Sequence, residues 1–214
     1  VGAFSDIAVE LDPDYIVMEN VPEILGKKYW QHYQEARAVF ESQGYNVVQT
    51  IYNSAQFGVP QARFRAVVIA SKSDFEMPPP VFGEDEFITV RDAISDLPEV
   101  APGQVFNSDP FHRSAKHKQS TIDTITAVAK NGGSRPSGIG PESLDKFSGY
   151  YDVYGRLFWD KPAITLTQYA RNPASGRFSH PEQNRGLTIR EAARLQSFPD
   201  AYEFVGSLDK CFKQ

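Results

Sequence analysis

Gln61-Ala62-Arg63-Phe64-Arg65-Ala66-Val67-Val68-Ile69-Ala70 sets two guanidiniums at the head of an unbroken apolar run. A short run of this kind, rich in β-branched residues, reads as a buried strand. A second run, Tyr15-Ile16-Val17-Met18, ends on Glu19-Asn20-Val21. Adjacent strands of one sheet would bring Glu19 to Arg63 and Arg65. In an open α/β sheet, ligands bind in the crevice beyond the strand ends. A carboxylate beside guanidiniums can there hold a planar heterocycle by its ring nitrogen, exocyclic amine and carbonyl.

Phe4, Ile7, Ala8 and Leu11 repeat at helical spacing, and Asp12-Pro13-Asp14 ends that helix before the first strand. The spacing of Tyr33, Ala36 and Phe40 predicts a helix over Tyr29 to Gln43, stopped by Gly44. Asn46 to Tyr52 reads as a strand and Arg65 to Ala70 as its neighbour, joined through a loop holding Gly58 and Pro60. The order strand, helix, strand, loop, strand implies an α/β class, the last part of a doubly wound or related sheet.

Pro78-Pro79-Pro80 followed by Gly83-Glu84-Asp85-Glu86 is the clearest break, because three prolines continue neither a helix nor a central strand. Thr89-Val90-Arg91-Asp92 then has the form of a helix N-terminal capping box, as does Thr188-Ile189-Arg190-Glu191. Between them, glycines, serines and short polar runs dominate from Ala101 to Asp160, with one helix expected over Thr121 to Lys130. Leu195 and Phe198 are expected to pack inward, and Arg190 and Arg194, four apart, to share an outer helix face.

The third informative segment is Arg185-Gly-Leu-Thr-Ile-Arg-Glu-Ala-Ala-Arg-Leu-Gln-Ser-Phe-Pro-Asp200. The order Glu-Asn-Val, Gln-x-Arg-x-Arg, Leu-Thr-x-Arg-Glu-Ala-Ala-Arg-Leu-Gln-x-Phe-Pro-Asp resembles the C-terminal part of DNA (cytosine-5)-methyltransferases, and the likeness covers most of the chain. The resemblance implies part of a Rossmann-like, S-adenosylmethionine-dependent methyltransferase sheet plus a small irregular, mainly β target-recognition region. It implies a partial catalytic domain over 1–100, a recognition region over 101–184, and a helix returning to the catalytic domain over 185–214.

The reaction implied is methylation of cytosine C5 after the base is flipped out of duplex DNA. A thiolate adding to C6 makes C5 enamine-like, and a hydrogen bond or proton at N3 helps. Glu19 is then the candidate for holding N3 and the exocyclic amine. Arg63 and Arg65 would orient Glu19, contact the cytosine carbonyl or engage phosphate. Asn20 and Gln61 are supporting residues, shaping the turn and bracing the loop. Ala163-Ile-Thr-Leu-Thr-Gln168 resembles a family strand whose threonine lies against the DNA backbone, which falls on Thr165. Loops around Gly149 to Arg156 and Arg171 to His180 resemble the recognition loops. Arg156, Arg171, Asn172 and Arg177 are the side chains expected to reach bases or phosphates.

The family's Gly-rich cofactor loop and Pro-Cys nucleophile loop have no counterpart in the residues before Glu19, and the single cysteine, Cys211, lies in a segment resembling a non-catalytic one. The expectation is a piece of a methyltransferase, inactive alone, with double-stranded DNA as partner and a separate N-terminal subunit as a second candidate partner. A non-catalytic DNA-binding module or recognition subunit is the alternative, and an unrelated α/β nucleotide-binding protein the third reading. An isolated chain is expected to expose backbone and apolar surface beside Tyr15 to Met18.

Composition agrees with a packed protein, 41% of the 214 residues being hydrophobic and 13% aromatic. The net charge of −5 is unevenly spread: residues 1–100 carry 7 basic against 16 acidic side chains, and residues 101–214 carry 15 against 11. Phosphate binding needs a local cationic face rather than a basic protein, and the second half can supply one. No signal sequence or long apolar run is present, and one cysteine fits a reducing compartment, so an intracellular protein is expected, cytoplasmic in a bacterium or archaeon and nuclear in a eukaryote. His32, His112, His117 and His180 lack metal-ligand spacing and read as solvated side chains.

Overall fold

The computed structural model describes residues 1–146, 149 and 151–213. They divide into two compact units, residues 1–57 with 63–83, and residues 58–62 with 84–214.

The first unit begins with α1 (Gly2–Glu10), β1 (Tyr15–Asn20), α2 (Trp30–Ser42) and β2 (Asn46–Asn53). Tyr33, Ala36 and Phe40 are the buried residues of α2, as their spacing requires, and Gly44 ends the segment at φ 82°. The chain then contributes a two-residue strand, β3 (Gln61–Ala62), to the second unit and returns as β4 (Phe64–Ser71). β4 lies between β1 and β2 and is antiparallel to both, pairing Val67 with Glu19 on one side and with Thr50 on the other. β1 and β2 therefore run the same way, joined through α2, with the returning strand inserted between them. One sheet face packs Ile16, Met18, Val47, Ala66, Val68 and Ala70 against Ala8, Tyr33 and Phe40.

The alternate positions of β1 point the other way, leaving Tyr15 52% and Val17 61% exposed. β1 is also an outer strand of the three. Helix α1 departs from expectation: of its apolar residues only Ala8 is buried, and Phe4 and Ile7 are exposed.

The second unit contains α3 (Val90–Ile94), a hairpin of β5 (Val105–Phe106) and β6 (Asp109–Arg113), α4 (Gln119–Thr126) and α5 (Ser143–Lys146). It continues with β7 (Ala163–Ile164), parallel to β3, then α6 (Ile189–Arg194) and α7 (Leu208–Cys211). Its described strands are all short, so it is irregular but not mainly β. Residues 84–100 pack with this unit, because Val90 and Ile94 share one core with Leu157, Leu166, Leu187 and Leu195. None of the described helices is long and apolar enough to cross a membrane.

Both capping boxes form. Thr89 and Asp92 exchange bonds of 3.2 and 2.9 Å between side chain and backbone, and Thr188 and Glu191 do the same at 3.1 and 2.8 Å. Thr89→Ala is expected to cost about 1 kcal/mol, read as a lower urea midpoint with an unchanged slope.

Candidate functional site

Glu19 ends β1 beside the start of β4, and Arg65 Nε donates to its carboxylate at 2.7 Å. The Arg65 side chain is 20% exposed and that of Glu19 57%. Arg65 Nη1 also donates to the Phe64 carbonyl at 2.7 Å, which fixes the guanidinium plane. One carboxylate oxygen is thus oriented while the group as a whole faces outward.

Arg63 sits at the break between β3 and β4 with its backbone clamped. Its N–H donates to Asn53 Oδ1 at 3.0 Å, and its carbonyl accepts from the Ser54 N–H at 2.9 Å. Its guanidinium makes no hydrogen bond or ion pair among the described residues. Burial, and then the neighbouring Arg65 charge, push its pKa down, with Glu19 opposing. A half-buried guanidinium without a carboxylate of its own is suited to an oxygen-rich ligand. Asn20 accepts the Val21 N–H at 2.8 Å and so shapes the turn.

In the second unit, Gln61 is 2% exposed and uses both ends of its amide: Nε2 donates to the Leu195 carbonyl at 3.3 Å and Oε1 accepts the Leu166 N–H at 3.1 Å. Thr165 donates its hydroxyl proton to the Ala62 carbonyl at 3.0 Å, tying β7 to β3.

Arg156 and Arg177 require a larger correction. Arg156 is 1% exposed and donates to the carbonyls of Ile125, Val128, His180 and Gln183. Arg177 is 8% exposed, pairs with Asp152 at 2.9 Å and donates to the carbonyls of Gly132, Gly133 and Arg156. With few strand ladders, the loop carbonyls need other donors, and a guanidinium brings five. Both side chains are internal cross-links. Arg190 is likewise 5% exposed and bonded to Asp109 at 2.6 Å, so it does not share an outer face with Arg194.

Arg171 and Asn172 remain at the surface. Arg171 pairs with Asp209 at 3.1 Å, and Asn172 Oδ1 accepts the Ala174 N–H at 3.1 Å. They belong to an ordered loop presenting Thr167, Gln168 and Tyr169, the last 56% exposed. The Tyr169 carbonyl accepts from the Asn172 N–H and the Ser175 hydroxyl, both at 2.8 Å. Gln168 and Tyr169 were missed as candidates, although they directly follow the matched Thr-Leu-Thr. Tyr150, within the first expected recognition loop, lies outside the described residues.

His32 is solvated, its side chain 65% exposed, but His112, His117 and His180 are structural. His112 is fully buried between the Thr188 hydroxyl and the Pro98 carbonyl, and His117 Nε2 accepts the Gly186 N–H at 3.0 Å. No His, Cys, Asp and Glu cluster fit for a metal occurs among the described residues. Cys211 is buried among Ile189, Ala193 and Phe204.

A family model for C-5 cytosine-specific DNA methylases matches residues 3–214. The chain is 34% identical over 207 residues to the Type II methylase M.HgiDII of Herpetosiphon aurantiacus, covering 94% of this chain and 58% of that protein. It is 38% identical over 197 residues to the Type II methyltransferase M1.HphI of Haemophilus parahaemolyticus, covering 91% and 50%. The chain thus spans about half the length of the curated relatives it matches. Among solved structures, the fold is similar to that of an E. coli prophage-encoded protein described as a DNA modification methyltransferase, with a TM-score of 0.69 at 21% identity, covering 98% and 66%. S. pombe Dnmt2 methyltransferase gives 0.54 at 20%, covering 98% and 66%. The chain belongs to the C-5 cytosine-specific DNA methylase family.

Proposed function

We propose that this chain is the base-holding and DNA-recognising part of a DNA (cytosine-5)-methyltransferase, its sheet being the last part of the family's Rossmann-like one. The observation that carries the reading is the Glu19 carboxylate held at 2.7 Å by Arg65, with the Arg63 guanidinium unpaired nearby. Glu19 presents its outward oxygen to N3 and the exocyclic amine of an extruded cytosine. Arg65 positions Glu19, and Arg63 takes the base carbonyl or an adjacent phosphate. Removing the base from its stack costs a few kcal/mol, so duplex contacts elsewhere must offset it.

The methyl donor implied by family is S-adenosylmethionine, which supplies an electrophilic methyl group when bound. The turn after β1 does not fit a glycine cradle for it: it runs through Val21 and Pro22, and a Cβ at Gly26 would lie 3.2 Å from the Glu23 carbonyl. The attacking thiolate is likewise sought on another chain segment, the single cysteine of these 214 residues, Cys211, being buried. A separate N-terminal methyltransferase subunit would be one source of both.

The test is incubation with labelled S-adenosylmethionine and mixed-sequence duplex DNA, alone and with a methyltransferase segment carrying the Pro-Cys loop. No incorporation by the chain alone and C5 methylation in the mixture are expected. DNA binding without transfer in the mixture would favour a bare recognition module, and absence of both would overturn the proposal.

Within the recognition loop, Arg171→Ala is expected to weaken binding across all sequences and reduce the salt slope by about one unit. Gln168→Ala or Tyr169→Ala is expected to relax selectivity at one base position by roughly 1–3 kcal/mol. Competition binding against singly substituted duplexes separates the two effects.

A further inference from the structure

The first unit carries six cations in residues 1–83, and three are paired: Arg37 with Glu41, Arg65 with Glu19, and Lys72 with Asp12. The others, Lys27, Lys28 and Arg63, have no carboxylate partner among the described residues. They are not scattered. Arg63 precedes β4, and Lys27 and Lys28 follow β1 after a 3₁₀ turn over Pro22–Leu25; antiparallel pairing puts those two termini at the same end of the sheet. In an acidic half of the chain, the unpaired positive charge gathers where Glu19 emerges.

The lysines are set among aromatic rings. Lys28 Nζ lies 4.9 Å from the centre of the Tyr29 ring, and Trp30 is 43% exposed with its ring 5.5 Å from that of Tyr33. Leu25, Lys27 and Trp30 line an open cleft of about 410 Å³. The segment is anchored beneath by Ile24, 6% exposed in the core with Met18 and Ala66. Glu23, in the same turn, is exposed and pairs with neither lysine.

Two unpaired ammoniums beside an exposed indole match the chemistry of a nucleic-acid strand, with phosphates for the cations and a sugar or base face for the ring. We propose that Lys27, Lys28 and Trp30 contact the DNA sugar–phosphate backbone next to the extruded nucleotide, on the strand that enters the Glu19 site. This rests on the DNA reading above and extends it to a segment outside the matched motifs. Holding the backbone there would oppose return of the base to the duplex.

The test is fluorescence anisotropy of a labelled mixed-sequence duplex titrated with the 214-residue chain across a salt series. The K27A/K28A double variant is expected to bind more weakly, with the slope of log affinity against log salt reduced by about two units. Trp30→Ala is expected to weaken binding without changing that slope. The chain has two tryptophans, so Trp159→Phe leaves Trp30 as the sole indole, and its fluorescence is expected to be quenched on adding duplex. If wild type binds DNA but the double variant keeps its affinity and slope and Trp30 stays unquenched, the proposal falls and the DNA reading stands. If wild type binds no duplex, both fall. Lysine-dependent binding that favours single-stranded RNA over duplex DNA would also overturn it.

Discussion

Glu191→Ala is expected to destabilise the second unit by about 3–5 kcal/mol, because it strands a buried cation. Glu191 is 1% exposed and takes two bonds from Arg185, at 2.8 and 2.7 Å, while Arg185 is 0% exposed. Burial pushes the Glu191 pKa up, but the Arg185 charge and its hydrogen bonds overcome that and hold it at about 2. Removing the carboxylate leaves the guanidinium with the Val100 and Gly186 carbonyls and the Gln183 amide oxygen, none of them charged. Arg185→Met combined with Glu191→Leu removes both charges together and is expected to recover part of the loss. A double variant no more stable than Glu191→Ala would show that the capping bond to Thr188 outweighs the ion pair.

The same cluster sets an acid limit. His180 Nδ1 accepts the N–H groups of Glu182 and Gln183, both at 3.0 Å, and a protonated ring cannot accept there. Burial chiefly, with Arg185 and Arg156 adding and Glu191 opposing, pushes the His180 pKa from 6.5 down to about 4. Between those values the unfolded chain binds a proton that the folded one refuses, so stability falls as pH falls through this window, by at most about 3 kcal/mol. The Glu191 contribution is complete above its ordinary value of 4.5 and is lost as pH drops from there toward 2. Urea unfolding followed by Trp159, whose ring lies 5.4 Å from His180, reads both steps in a Trp30→Phe background. A stability that does not change between pH 6.5 and 4 would contradict the His180 assignment.

The legible parts of the sequence are those where one physical rule dominates. The three long strands are apolar runs bounded by turns, the two capping boxes depend on four residues each, and Pro78 to Gly83 coincides with the end of the first unit. The packing of residues 84–100 with the second unit is not legible, because the Val90 and Ile94 contacts are long-range and leave no local signal. The place of β4 between β1 and β2 is legible, since the run Arg65 to Ala70 is expected beside both the Glu19 strand and Asn46 to Tyr52, and it pairs with both. Arg156 and Arg177 were misread for a chemical reason. A phosphate oxygen and a loop carbonyl are both acceptors, so the residue type cannot tell them apart, and only burial does. Arg65 was readable because its acceptor, Glu19, belongs to a recognised motif at a strand end.

In a methyltransferase that includes this chain, Glu19→Gln is expected to slow methyl transfer about 10²–10⁴-fold, the range for loss of a positioned proton donor. Cytosine C5 is a poor nucleophile until a thiolate adds to C6, and that addition places negative charge on N3. The outward oxygen of Glu19, when protonated, can deliver a proton there, whereas an amide can only hydrogen-bond. The variant otherwise preserves the site: Arg65 Nε, now 2.7 Å from a carboxylate oxygen, can donate to the amide oxygen instead. DNA affinity should therefore stay within a few-fold of wild type, since the phosphate contacts proposed above lie on other residues. Arg65→Lys should give a smaller loss, because a point charge keeps the attraction but not the planar hold on Glu19. Single-turnover rates on pre-bound duplex, beside equilibrium binding, distinguish these outcomes. Glu19→Gln that abolishes DNA binding, or that transfers methyl at the wild-type rate, would remove Glu19 from the base pocket.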